Sequence, residues 1–261
     1  MKISLIITTY NWPEALGRVL DSVSKQTELP HEVIIADDGS TDETRLLIEE
    51  WQKKLPVTLL HSWQEDDGFR AARSRNLAIS KASSDYIVMI DGDMVLHQGF
   101  LLSHHKFAED GFFVQGSRVI LDKEESKKVL RNKKISFFSK GIKNRFNAIH
   151  LPLLTPLYRS QSFSMRGIKT CNIAFWKTDL EKVNGFNNKF IGWGREDSEL
   201  VCRLYNLGIK RKNLKLGGCA FHLYHPENER TMLPENDLLL QEASELKLIE
   251  CKDGLKEVSI F

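Results

Sequence analysis

The stretch Tyr86-Ile87-Val88-Met89-Ile90-Asp91-Gly92-Asp93-Met94 decides how the chain is read. Its five leading apolar residues make a short buried strand, so the two carboxylates emerge at the strand's carboxyl end, where open α/β sheets gather ligands. Two acids separated by one glycine can turn toward the same hard cation while the backbone comes close to a ligand. A divalent metal and a diphosphate would fit there. Asp-Gly is also a turn dipeptide, so the triplet alone leaves a plain tight turn open.

Upstream, the pattern alternates. Ile3 to Thr8 is a β-branched-rich strand, Trp12-Pro13-Glu14 opens a helix with proline in its first turn, and Glu32 to Ala36 is a second strand. A helix from Ser40 or Thr41 to about Lys54, a strand from Val57 to His61 and a helix over 70–81 complete the series. Strands alternating with helices imply parallel pairing. Four strand-end loops then converge: Thr8-Thr9-Tyr10-Asn11, Asp37-Asp38-Gly39-Ser40, Asp66 to Arg70, and Asp91-Gly92-Asp93. Tyr10 offers a ring to stack on a base, Asp38 a carboxylate for an imide N–H, and Arg70 a fork for carbonyl or phosphate oxygens. Taken singly, Tyr10 reads equally as a packing residue, Asp38 as a helix cap and Arg70 as a surface charge. Glycine-rich dinucleotide and P-loop patterns are absent, which disfavours a Rossmann dehydrogenase or a Walker-type ATPase.

The 261 residues, 41% of them hydrophobic, suffice for one large α/β domain or two small ones, and the formal charge is only +2. The basicity is local, because residues 123–145 hold nine Lys and Arg against Glu124 and Glu125. That segment reads as a solvated helix and mobile loop, or as a lid or surface for an anionic acceptor or lipid headgroups. No nucleic-acid module accompanies it. Cys171, Cys202, Cys219 and Cys251 form no Cys-x-x-Cys pair and no disulfide framework, so a reducing compartment is the simplest reading. The amino-terminal apolar run is too short for a signal peptide, and no run approaches a membrane span. The expectation is a cytoplasmic protein, with peripheral attachment at the inner face of a membrane as an option.

Thr8-Thr9-Tyr10-Asn11, Ala36-Asp37-Asp38-Gly39-Ser40-Thr41-Asp42 and Asp91-Gly92-Asp93 together resemble the family 2 glycosyltransferases of the GT-A fold. The resemblance implies an α/β fold with a mostly parallel central sheet flanked by helices, and a UDP-sugar donor. It places Thr8, Tyr10, Asp38 and Arg70 around the nucleoside, and Asp91, Gly92 and Asp93 at the ribose, the diphosphate and an Mn2+ or Mg2+ ion.

Farther along, Phe100 to Phe107 reads as a helix, Gly111 to Ile120 as one strand, and Cys171 to Trp176 as another. Asp179 to Val183 is a short helix and Asn184-Gly185-Phe186 a turn. Leu200, Val201, Leu204 and Leu207 repeat at helical spacing, which puts Glu196 and Asp197 in a helix's first turn. Helix amides there stabilise a negative carboxylate, so Asp197 is expected to have a low pKa, suited to a base or merely structural. Gly192-Trp193-Gly194 lets the backbone approach a ligand and offers the indole as a wall under a sugar ring.

Trp193-Gly194-Arg195-Glu196-Asp197 resembles the Trp-Gly-Gly-Glu-Asp motif of β-1,4-galactosyltransferase-like and chondroitin-synthase-like enzymes, with Arg195 in place of the second glycine. That resemblance implies that Asp197 deprotonates the acceptor hydroxyl while Glu196 and Trp193 position the acceptor. It also implies that a histidine beyond the Glu-Asp helix completes the metal site with Asp93, His225 in the Tyr-His-Pro-Glu-Asn context or His222 in its stead.

The expectation is one GT-A domain over 1–261. It divides into a nucleotide-sugar half (1–120), a variable basic loop (121–165), an acceptor and catalytic half (166–230) and a helical tail (231–261). The expected activity is an inverting, metal-dependent transfer of a hexose or N-acetylhexosamine from a UDP-sugar to a saccharide or lipid-linked saccharide acceptor, in bacterial surface polysaccharide or lipooligosaccharide synthesis. A non-catalytic nucleotide- and saccharide-binding scaffold of the same fold is the alternative, and a nucleotidyltransferase ranks third.

Overall fold

A computed structural model describes residues 1–131, 135, 137–151, 154, 161–226 and 229–258. The first part of the chain runs β1 (Ile3–Thr9), α1 (Pro13–Ser24), β2 (Glu32–Asp37), α2 (Asp42–Lys54), β3 (Thr58–Trp63), α3 (Ala71–Lys81) and β4 (Tyr86–Asp91). Next come β5 (Met94–Leu96), α4 (Phe100–Phe107), β6 (Phe112–Gln115), β7 (Val119–Leu121), α5 (Lys123–Leu130), β8 (Ile142–Lys143) and β9 (Gln161–Ser162). The remainder is β10 (Asn172–Trp176), α6 (Lys177–Lys182), α7 (Glu196–Asn206), β11 (Lys210–Asn213), β12 (Ala220–His222), α8 (Leu233–Glu245) and α9 (Leu255–Val258).

Among the described residues, eight strands form one sheet in the order β3-β2-β1-β4-β10-β6-β11-β9. Strands β3, β2, β1 and β4 are mutually parallel, as are β6 and β11, whereas β10 runs antiparallel to both of its neighbours. Two reversals around β10 restore the direction, so β4, β6 and β11 all point their carboxyl ends to one edge.

The central strands are apolar throughout because both of their faces are covered. Alternation sorts them. Leu5, Ile7, Val33, Ile35, Val88 and Ile90 pack with Leu16, Val19, Leu20 and Ile48 of α1 and α2 and with Phe100 of α4 on one face. Ile6, Ile34, Ile87 and Met89 pack with Ala72, Ala78 and Ile79 of α3, Leu180 of α6, Leu200 and Leu204 of α7 and Val258 of α9 on the other. The result is three layers, helix on sheet on helix.

The stretch Gly111 to Ile120 is two strands rather than one. Gly116 ends the first; a Cβ there would sit 2.2 Å from Asn172 Oδ1, and its N–H donates to the Asn172 carbonyl at 2.8 Å. Beyond it the chain leaves the large sheet, and β7 joins a second sheet of order β5-β12-β7-β8. This small sheet sets β12 beside β5, directly after the Asp91-Gly92-Asp93 turn. In the basic segment, α5 anchors through Val129 and Ser126, while Phe138 and Phe146 stand exposed. Lys133 and Lys134 lie outside the described residues. No described helix is long and apolar enough to cross a membrane.

Candidate active site

The strand-end loops are laced together. Asn11, at φ +46°, donates its N–H to Ser40 Oγ (2.9 Å), and Thr41 N–H donates to Asn11 Oδ1 (2.8 Å). Arg70 N–H donates to Asp38 Oδ2 at 2.8 Å, and Gln64 Nε2 donates to Asp38 Oδ1 at 2.5 Å. Asp38 therefore does not cap α2; it is 3% exposed, and burial raises its pKa to about 6 despite those donors. The Tyr10 hydroxyl donates to Asp66 at 3.0 Å while its ring stays exposed, open to stacking. Arg70 reaches no other predicted site residue with its guanidinium, which folds back onto the Asp67 carboxylate and carbonyl.

Gly92 holds the acidic turn against β1. Its N–H donates to the Thr8 carbonyl at 2.7 Å, and an added Cβ would lie 3.0 Å from that oxygen and 3.1 Å from Thr9 Oγ1. Asp91 and Asp93 then face different neighbours. Asp93 is 7% exposed, with its Oδ2 3.4 Å from His222 Nε2 and 3.3 Å from His225 Nε2. Its Oδ1 is buried without a hydrogen-bond partner. One carboxylate and two imidazoles offer ligand atoms within 4.8 Å of one another, so His222 belongs to the cluster beside His225 rather than instead of it. Burial, with Arg118 and Lys169 nearby, lowers His222 to about 3, which keeps its ring neutral and able to ligate. Burial and Asp91 push Asp93 well upward. An orphaned buried oxygen beside two imidazole nitrogens is a donor set suited to a divalent cation.

Arg75 was not legible as a site residue, yet it ties the amino-terminal strands to helix α7. It is buried, with its side chain 5% exposed, and its Nε donates to Thr8 Oγ1 at 3.1 Å. Its Nη1 meets Glu196 at 3.0 Å and its Nη2 meets Asp91 at 3.5 Å. One planar fork thus spans β1, β4 and α7. Signal for it existed: Arg75 falls on the stripe Ala71, Ala72, Ala78 and Ile79 that α3 turns inward.

Helix α7 is aimed by a second buried arginine. Arg203 holds Glu199 through Nε and Nη2 (2.8 and 2.7 Å) and donates to the carbonyls of Val183 and Gly185, fixing α7 to the Asn184-Gly185-Phe186 turn. At the other end Gly192, Gly194 and Arg195 all have positive φ, 73°, 107° and 76°. Arg195 adopts a conformation that glycine takes without cost. The Gly192 N–H donates to the Phe69 carbonyl at 2.9 Å, so the Trp193 loop rests on the 65–70 loop. Trp193 is partly exposed, with the Arg230 guanidinium 5.0 Å from its ring centre.

Asp197 departs from expectation. Its Oδ1 accepts from Ser198 N–H at 2.6 Å, yet burial and the adjacent Glu196 raise its pKa to about 7. Removal from water and a like charge next door outweigh the stabilisation from the helix terminus.

Residues 4–166 match the model of glycosyl transferase family 2, and residues 158–226 match that of the N-terminal domain of galactosyltransferase. Among curated proteins, a hyaluronan synthase of Pasteurella multocida is 28% identical over an alignment of 245 positions that covers 87% of this chain and 25% of that protein. A chondroitin synthase of the same species is 29% identical over an alignment of 269 positions that covers 96% of this chain and 27% of the relative. The chain therefore spans about a quarter of the length of these relatives. Its fold is that of Staphylococcus aureus TarS 1–349 in complex with UDP, with a TM-score of 0.66 at 17% identity, covering 99% of this chain and 68% of that one. The mannosyltransferase PcManGT of Pyrobaculum calidifontis, in complex with GDP-Man and Mn2+, gives 0.56 at 16% identity, covering 95% and 72%. With the acidic turn, the laced loops and the buried Arg75 bridge in view, and more than half of the sequence matched by the family model, the chain belongs to glycosyl transferase family 2 and has the GT-A fold.

Proposed function

We propose that the chain is an inverting, metal-dependent glycosyltransferase that moves a hexose or N-acetylhexosamine from a UDP-sugar to a saccharide acceptor of a surface polysaccharide. The observation that carries this reading is Arg75, whose guanidinium meets Thr8 and Asp91 on the donor side and Glu196 on the acceptor side. Tyr10 stacks on the base, Asp38 accepts from its imide N–H, and Arg70 swings off Asp67 to meet it. Trp193 and Glu196 orient the acceptor. The UDP bound by TarS and the GDP-Man and Mn2+ bound by PcManGT support a nucleotide-sugar donor with a cation.

A single base suffices for the chemistry. The Asp197 carboxylate takes the acceptor hydroxyl's proton as that oxygen bonds to the anomeric carbon from the face opposite the nucleotide. The bond from that carbon to the diphosphate oxygen breaks with its electron pair going to UDP, so an α-linked donor gives a β-linked product. A base with pKa about 7 is matched to neutral pH. Asp93, His222 and His225 would hold the cation, which when bound neutralises charge on the departing diphosphate. Two imidazoles in the set favour Mn2+ over Mg2+.

A panel of UDP-sugars with and without Mn2+, scored for hydrolysis and thermal stabilisation, tests the reading. Asp197→Asn should cut turnover about 10²- to 10⁴-fold with UDP affinity retained. Asp93→Ala should abolish the Mn2+ dependence of UDP binding. Normal turnover in the first variant, or UDP affinity indifferent to Mn2+ in the wild type, would remove the mechanism; UDP binding with no hydrolysis or transfer for any sugar would leave a scaffold.

A further inference from the structure

The break between β6 and β7 presents a firmly held arginine. Where the chain leaves the large sheet, Asn172 Nδ2 donates to the Ser117 carbonyl at 2.7 Å and Asn147 Nδ2 donates to the Arg118 carbonyl at 2.9 Å. Arg118 lines a cavity of about 230 Å³ together with Ile120, Lys169 and Cys171, and no carboxylate lines it. Its Nη1 faces Cys171 Sγ at 3.6 Å, a weak acceptor that burial keeps as a neutral thiol by pushing its pKa up to about 12. Its buried Nε has no partner among the described residues. A buried donor left open in this way costs free energy until an acceptor completes it.

Strand register says which acceptor. Asn172 pairs with Ile90 on antiparallel strands, so Cys171, one residue before β10, comes across from Asp91, while Ile120 pairs with His222. The cavity wall and the cation cluster are therefore neighbours. Burial raises both Asp91 and Asp93 and the Arg118 charge opposes that rise at each, whereas burial and Arg118 together lower His222. An anion seated on Arg118 lies beside Asp93, His222 and His225, where the glycosyltransferase reading puts the donor's diphosphate.

Resting on that reading, we propose that Arg118 is a catalytic residue that donates N–H bonds to the donor's diphosphate and takes up the charge that grows there as the bond to the anomeric carbon breaks. The electron pair of that bond passes to the β-phosphate oxygen, and the guanidinium keeps all its protons throughout. Lys169, exposed on the same cavity, adds a second positive charge. Two phosphates present more oxygens than one ion engages, so the arginine supplements the cation rather than replacing it.

Titration calorimetry with uridine, with UDP in Mn2+, and with Mn2+ alone reads this in Arg118→Gln. UDP affinity should fall about tenfold or more while uridine affinity stays, and affinity for Mn2+ alone should hold or rise, because a positive charge beside the ion's ligands has gone. With the best UDP-sugar, kcat should fall about 10²-fold or more, and Arg118→Lys should recover part of both losses. An arginine that merely braces Asp93 would lower Mn2+ affinity instead, and one that merely packs would move UDP and uridine alike or not at all; either result overturns the proposal, as does an unchanged kcat. Should Arg118→Gln not fold, Lys169→Gln at its exposed position should narrow the gap between UDP and uridine about threefold, and an unchanged gap there would overturn the proposal equally. The glycosyltransferase reading fails separately, when the wild type transfers from no UDP-sugar, and the contrast between UDP and uridine then still decides whether Arg118 meets the diphosphate.

Discussion

Asp197 carries two consequences of one shift. In the folded chain it keeps its proton up to about pH 7, whereas an ordinary aspartate releases it near 3.8. Between those values the folded state binds more protons than the unfolded one, so its contribution to stability is full below about pH 4 and is lost as pH rises through 7. Asp38, raised to about 6, acts in the same sense over a narrower window. Activity should move oppositely, because only ionised Asp197 can accept a proton. The kcat/KM profile of the wild type should thus climb through about pH 7, while Asp197→Asn should lack that limb. The same variant should raise Tm at pH 8 by roughly 2–4 °C, the shift that about 1 kcal/mol gives in a chain of this size. An unchanged Tm at pH 8 would show that the carboxylate is not strained in the ligand-free protein. In the Asp93, His222 and His225 cluster, His222→Ala should weaken Mn2+ binding as much as His225→Ala does if the proposed function holds, since the two rings stand equally close to Asp93. Calorimetric titration of Mn2+ into both variants would measure it.

Elements are legible from period and punctuation wherever one element fills one apolar run. Strands β1, β2 and β4 and helices α1 and α3 fall where alternation and the Trp12-Pro13 opening put them. Period fails at Phe112 to Leu121, because a continuous apolar run gives no sign that Gly116 hands its second half to another sheet. Backbone proximity to Asn172, 56 positions away, decides that, and no local pattern encodes it. Arg75 escapes for the converse reason. Arg70, Arg73 and Arg75 together look like a solvated face, and only the inward phase of α3 separates the third from the others. For Asp197, the helix terminus is visible in the sequence but burial, a tertiary quantity, is not. Glycine in the acidic turn, by contrast, is legible for a reason that the packing sharpens. Gly92→Ala drives a methyl into Thr8 and Thr9 and should cost about 1–3 kcal/mol while displacing Asp93, so that Mn2+ affinity falls in a protein of native circular dichroism.

Across the whole molecule, the amino-terminal strands β1 and β4 meet helix α7 through a few buried charges. Removing Arg75 leaves Asp91 and Glu196 facing each other without a cation, and both have partial access to water. Arg75→Met should therefore lower stability by at most about 3 kcal/mol and raise KM for donor and acceptor together, unlike Asp197→Asn, which acts on kcat. Arg75→Lys should restore stability in part but not KM, since an ammonium cannot span three elements. Steady-state kinetics with both substrates varied would separate these patterns.

The pairing of β5 with β12 has a further effect. Leu223 N–H donates to the Asp93 carbonyl at 3.0 Å, so the residues able to grip an ion come from chain segments some 130 positions apart yet already hydrogen-bonded neighbours. A cation held there would act as a rivet across an enormous covalent loop, one that encloses the whole basic segment. Starved of manganese, the protein should open at this seam first and be nicked by proteases within the loop; resupplied, it should lengthen its own lifetime by the same event that readies it to receive substrate.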